Sequence, residues 1–327
     1  MNSLLDSSQL VFIVSQPRSG STLLQAILSN HPKVDTTSEH WILLRFASLL
    51  KPGLLRADFD MHTCADAFED FLGKYDAVKE FENDTKRLLL KYYEKVQKNT
   101  GNLVIDKTPR YYEILPELLK LFPKAKIILL VRNPLASWAS MMKTWQRYDL
   151  YNLCKHHRRD ILQAPLLIQE FYQNHTDDKR VKKITFEELL ASSEKIVKEL
   201  CDWLEIKYSA EMLNYGNNVK FRGKYGDPIG VNKYTSLQSH KLDQLKCDKH
   251  PAVSYKELLN GYAHFLGKSF LNEYGNYKVR EAKKSLKFTY FKFYCDHFNL
   301  FERYNFTSLL RVLLRYSSLK IFTKLFN

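Results

Sequence analysis

The chain has 327 residues, 45% hydrophobic and 13% aromatic, with 11 Gly and 10 Pro, which excludes a disordered or low-complexity protein. Fifty Lys and Arg against 36 Asp and Glu give a formal net charge of +14, which attracts phosphate, sulfate, nucleic acid or anionic lipid. The five cysteines, Cys64, Cys154, Cys201, Cys247 and Cys295, are widely spaced and odd in number, which argues against a disulfide framework and a structural zinc centre.

The stretch from Met1 to Ser8 has no basic segment leading into an apolar one, and no run of about 18 apolar residues follows. The expectation is a soluble, cytoplasmic protein. Leu10-Val11-Phe12-Ile13-Val14-Ser15 is a continuous β-branched apolar run, the pattern of a parallel strand buried on both faces. A turn through Gln16-Pro17-Arg18-Ser19-Gly20-Ser21 follows, then helical spacing from Thr22 to Leu28 that cannot pass Pro32. Residues 60–100 read as mainly helical. Leu103-Val104-Ile105 predicts a short strand ahead of Asp106-Lys107-Thr108-Pro109. Lys126–Val131 predicts a second buried strand, leading through Arg132-Asn133-Pro134 into a helix over Leu135–Trp145. Residues 150–180 are again helical in pattern, and Val181–Thr185 predicts a strand before Phe186-Glu187-Glu188-Leu189-Leu190. Residues 215–250, rich in Gly, Asn, Lys and Tyr, read as a long irregular loop, of a length that is usually functional or mobile.

Alternating strands and helices imply an α/β fold with a central parallel sheet flanked by helices. Functional groups then collect at the carboxyl ends of the strands, where Arg18, Lys107 and Arg132 fall. One domain over residues 1–275 and a basic, aromatic-rich, mainly helical extension over 276–327 are expected. From Lys278 to Asn327, eleven Lys and Arg oppose three Asp and Glu, a local +8. Arg311 and Arg315 share a helical face that Lys320 and Lys324 do not, which favours a packed extension over a single amphipathic helix on a membrane. Contact with a peripheral membrane or a protein partner through this extension stays open.

The turn at Pro17–Thr22 has the makings of a phosphate cradle. Gly20 allows close approach of the backbone, the hydroxyls of Ser19, Ser21 and Thr22 are donors, and a helix starts there. The Walker A pattern GxxxxGK[ST] is absent. Arg18 precedes the glycine instead and offers a fork of donors. An ordinary capped turn is the plainer alternative.

Phe12 through Leu24, followed by Asn30-His31-Pro32, resembles the 5′-phosphosulfate-binding loop of sulfotransferases that use 3′-phosphoadenylyl sulfate (PAPS), in the form closest to the tyrosylprotein-sulfotransferase-like and bacterial branch. The resemblance implies a P-loop NTPase-like fold, with Arg18, Ser19, Gly20, Ser21 and Thr22 around the donor. Ile128 through Ser140 is similar to the family's 3′-phosphate-binding segment, which implies Arg132 and Ser140 as its ligands. Thr37-Ser38-Glu39-His40-Trp41 resembles the segment carrying the general base, with Glu39 lying 21 residues after Arg18. Glu39 is favoured for that role, and His40, whose imidazole titrates near neutrality, is the rival. Asp106-Lys107-Thr108-Pro109-Arg110 resembles a lysine-bearing turn, which implies that Lys107, with Arg18, neutralises charge on the bridging oxygen of the donor. Phe186-Glu187-Glu188-Leu189 resembles a segment that sets the next helix beside the nucleotide. Gly226-Asp227-Pro228 with Lys233 resembles a loop closing over PAPS, although Ile229 departs from the polar or basic residue expected there.

The implied reaction moves the sulfuryl group from PAPS to a hydroxyl or amine, releases adenosine 3′,5′-bisphosphate and needs no metal. A small polar metabolite or a glycan is the favoured acceptor, and nucleic acid is not expected as a partner. Two rivals are an ATP-dependent P-loop kinase and a non-catalytic basic adaptor for an anionic polymer or membrane.

Overall fold

The computed structural model describes residues 5–47, 61–146, 150–214, 253–273 and 285–303. The chain divides into two compact units, one of residues 1–138 with 160–246 and one of residues 139–159 with 247–327.

The first unit is built on an all-parallel sheet of β1 (Leu10–Ser15), β2 (Val34–Thr36), β3 (Leu103–Lys107), β4 (Lys126–Val131) and β5 (Val181–Thr185). The order is β2-β3-β1-β4-β5. All six residues of the central strand β1 are buried, as its unbroken apolar run requires. The pleat sends them alternately to two layers. Val11 and Ile13 join a core with Leu24, Ile27, Val197 and Leu200. Phe12 instead meets the rings of Tyr93, Tyr111 and Phe122 at centroid distances of 6.2, 6.3 and 5.7 Å for Tyr111, Tyr93 and Phe122 respectively. Helices Ser21–Ser29 (α1), Val78–Glu94, Ala164–Asn174 and Ser193–Leu204 flank the sheet.

Three of the expected strands have their expected limits, and β3 runs on through Asp106 and Lys107. Strand β2 is an addition: Val34-Asp35-Thr36 has no apolar run, and its buried Asp35 accepts from Lys98 N at 2.7 Å and from Asn102 Nδ2 at 2.9 Å. The helix expected over Leu135–Trp145 is α-helical over Pro134–Met141 and continues as a wider π-type turn over Met142–Gln146. Apolar periodicity over five residues does not separate those two coils.

In the second unit, helices Val253–Leu266 and Leu286–Arg303 lie against one another. A Cβ on Gly261 would come within 2.2 Å of Phe288 Cβ, so only glycine permits this approach. The boundary expected at 275/276, the loop over 215–250 with Lys233, and the tail beyond residue 303 lie outside the described residues. Among the described residues no helix is long and apolar enough to cross a membrane.

Candidate active site

The turn from β1 into α1 takes two left-handed residues, Arg18 at φ 70° and Gly20 at φ 92°. A non-glycine residue in this region costs about 1–2 kcal/mol, so the loop at Arg18 is held against its local preference. Gly20 is the N-cap of α1 and has no side chain to satisfy the first-turn N–H groups, which leaves them as donors for an anion. Ser19 is buried, and its Oγ lies 3.3 Å from Ser137 Oγ, which ties the loop to the helix after β4.

The end of β4 closes on the same loop. Arg132 donates through Nη1 to the Arg18 carbonyl at 2.9 Å, and its guanidinium lies 4.6 Å over the Phe186 ring. Phe186 also fills the space a side chain on Gly20 would need, since a Cβ there would approach its ring to 2.4 Å. One aromatic ring thus sets the distance between the glycine turn and Arg132. Glu187 accepts the Asn133 N–H at 3.2 Å, and burial pushes its carboxyl above the ordinary glutamate range despite that bond and the nearby Arg132. Ser140 lies on the same helix as Ser137, on the part of it that belongs to the second unit, and is half-buried.

Lys107, the last residue of β3, is 1% exposed. Its ammonium donates to Glu39 Oε1 at 2.6 Å and to Thr22 Oγ1, in the first turn of α1, at 3.3 Å. A buried lysine without such partners would be costly, and here they are a carboxylate and the hydroxyl of the candidate cradle. His40, next to Glu39, is turned elsewhere: its Nε2 is 3.5 Å from Asp106 Oδ2, and its Nδ1 accepts the Ile42 N–H at 3.3 Å. Asp106 is buried and also accepts from Tyr93 Oη at 2.6 Å, Tyr111 Oη at 2.9 Å and Thr108 Oγ1 at 2.8 Å. The two adjacent candidates for a base therefore lie in different surroundings, Glu39 with the cradle and His40 with a tyrosine-lined aspartate.

Residues 10–210 match the profile of the sulfotransferase family. The chain belongs to that family. Over 138 residues it is 34% identical to the nodulation protein NoeE of Sinorhizobium fredii, an alignment covering 41% of this chain and 31% of that protein. It is 25% identical over 214 residues to a putative protein-tyrosine sulfotransferase of Caenorhabditis briggsae, covering 65% and 71% of the two chains. The chain thus spans about a third of NoeE and 71% of the nematode protein. A solved sulfotransferase domain from the curacin biosynthetic pathway is similar at a TM-score of 0.48 and 19% identity, covering 79% of this chain and 97% of that one.

In this sulfotransferase-family chain, several contacts at the site are announced by no motif. Trp41, at φ 56°, donates its indole N–H to Glu39 Oε2 at 3.2 Å. The Arg110 guanidinium lies 4.8 Å over the Trp41 ring and forks onto the buried Asp160, with Nε 2.9 Å from Oδ1 and Nη2 2.6 Å from Oδ2. Burial works against the Arg110 charge, yet the charge and hydrogen bonds of Asp160 outweigh it and lift the guanidinium pKa above its ordinary value. Asp160 also accepts the Tyr112 hydroxyl at 2.8 Å, and its backbone carbonyl accepts Gln16 Nε2 at 2.9 Å. Arg110 and Asp160 are 50 residues apart, so no local spacing could announce them.

Proposed function

We propose that the protein is a PAPS-dependent sulfotransferase that moves the sulfuryl group to a hydroxyl or amine of a small polar metabolite or glycan, in the cytoplasm, with Glu39 as general base. The observation that carries the reading is the position of Lys107, whose buried ammonium joins the Glu39 carboxylate to Thr22 of the phosphate cradle. A base for the acceptor and donors for an anion are thereby brought to one point, as transfer between a polyanion and a neutral acceptor requires.

The residues fit such a donor. A glycine cap leaves the α1 amides open, and a Cβ at Gly20 has no room. Arg18, Ser19, Gly20, Ser21 and Thr22 hold its 5′ side, Arg132 and Ser140 its 3′-phosphate, and Lys233 is assigned a phosphate from the sequence alone. PAPS supplies an activated sulfuryl group. Glu39 takes the acceptor proton as the new O–S or N–S bond forms. The bond from sulfur to the bridging oxygen breaks, and Lys107 with Arg18 stabilises the charge left on that oxygen. The donor domain is assigned to residues 1–275 and the basic extension to 276–327.

Calorimetric titration with adenosine 3′,5′-bisphosphate, adenosine 5′-monophosphate and ATP tests this reading. Binding that needs the 3′-phosphate and falls in Arg132→Ala is expected. A preference for ATP with magnesium, or no nucleotide binding, would overturn it.

A further inference from the structure

Arg110 has no donor-binding role in the scheme above, yet its contacts lead to the proposed base. Its guanidinium plane is fixed by the two oxygens of Asp160, a residue 1% exposed that is itself held by the Tyr112 hydroxyl and by Gln16 Nε2. A forked pair of this kind sets orientation as well as charge. The fixed plane lies 4.8 Å over the Trp41 ring, and Trp41 sits in the left-handed backbone region that a bulky residue avoids. The stack on Arg110 and the N–H bond to Glu39 Oε2 at 3.2 Å both act on the indole there. A glutamate carboxylate otherwise rotates freely about its last torsion. Here Oε1 faces Lys107 and Oε2 faces the indole, so the rotation is stopped at both oxygens.

We propose that Arg110 is a positioning residue, which, through the stacked Trp41 ring, fixes the orientation of the Glu39 carboxylate without touching the donor. The proposal rests on Glu39 being the base, and the contact chain Asp160–Arg110–Trp41–Glu39 can be tested apart from that reading.

The test uses 15N-labelled full-length protein and the indole N–H resonances of its four tryptophans. Trp41→Phe, which keeps a ring for Arg110 to cover, assigns the Trp41 signal by its loss. Glu39→Gln and Arg110→Lys should each move that signal and leave those of Trp138 and Trp203 in place. Lysine keeps a charge opposite Asp160 but lacks the planar fork. If Arg110→Lys fails to fold, Asp160→Asn, which preserves the shape of the fork's partner, should move the same signal. Affinity for adenosine 3′,5′-bisphosphate should stay within about twofold in Arg110→Lys, as expected of a residue that does not contact the donor. A Trp41 resonance unmoved by Glu39→Gln or by the Arg110 and Asp160 variants would overturn the proposal. So would loss of bisphosphate binding in Arg110→Lys, which would make Arg110 a donor ligand. Absence of bisphosphate binding in the unaltered protein would overturn the donor reading instead, and is seen independently of the indole signals.

Discussion

Glu39 and Lys107, 68 residues apart in the chain, meet at 2.6 Å beside Thr22 of the glycine turn. Lys107 reaches that point because it ends β3, paired in register with Ile13 of β1, while Asp106 pairs with Phe12. Successive strand residues face opposite sides of a sheet. The neighbours Glu39 and His40 are therefore drawn apart, the first to Lys107 and the second to Asp106.

Glu39→Gln should lower turnover by about 100-fold or more, the scale of a lost general base, while affinity for adenosine 3′,5′-bisphosphate changes little. His40→Ala should retain most of the turnover. Steady-state kinetics with PAPS and an acceptor found by screening phenols, amines and sugars checks both. Full activity in Glu39→Gln together with its loss in His40→Ala would reverse the assignment.

Arg132→Ala should weaken adenosine 3′,5′-bisphosphate by about 10- to 100-fold, the worth of charge-assisted bonds to a phosphate. Arg132→Lys should recover only part of this, because a point charge cannot also lie flat on Phe186. Calorimetry on the two variants, with adenosine 5′-monophosphate as the control lacking the 3′-phosphate, gives the answer.

Gly20→Ala combines a left-handed backbone with a 2.4 Å approach to the Phe186 ring, and should cost roughly 2–4 kcal/mol of stability. Adding Phe186→Leu should return the overlap portion and leave the backbone portion. Urea unfolding of the single and double variants measures the difference, and a Gly20→Ala protein as stable as the original would refute the argument.

Tyr93, Tyr111 and Tyr112 are buried, which lifts their phenols well above the ordinary tyrosine range, and the Asp106 or Asp160 carboxylates add to the effect. Their folded pKa values exceed the unfolded value near 10, so the stabilisation is complete below about pH 10 and is lost as pH rises toward the folded values. Unfolding free energy followed from pH 8 to 12 should fall on the alkaline side. Tyr93→Phe should shallow that slope. An unchanged slope would show that the phenol ionises as readily in the folded protein.

Much of the frame was readable because a parallel strand buried on both faces writes itself as an uninterrupted β-branched run, as Leu10–Ser15 and Lys126–Val131 do. Strand β2 escaped because a buried aspartate occupies its centre, satisfied by partners more than 60 residues away. At the site, the glycine turn, Arg132 and Lys107 stand in short motifs at strand ends. Trp41 as an indole donor, Asp160 as the anchor of Arg110, and the two tyrosines on Asp106 arise only when separate segments fold together. The Phe186 ring was legible as part of a segment but not as the spacer between Gly20 and Arg132, since that role depends on a single missing Cβ.

Asp160 is also the residue at which the chain re-enters the first unit after the excursion over 139–159, which leaves it just past the fully buried Trp138. Departure and return are both nailed into the frame, one by an indole packed in the interior, the other by Arg110, Tyr112 and Gln16. The glycine turn, fastened through Gln16 to Asp160, therefore shares one fixed point with the returning chain.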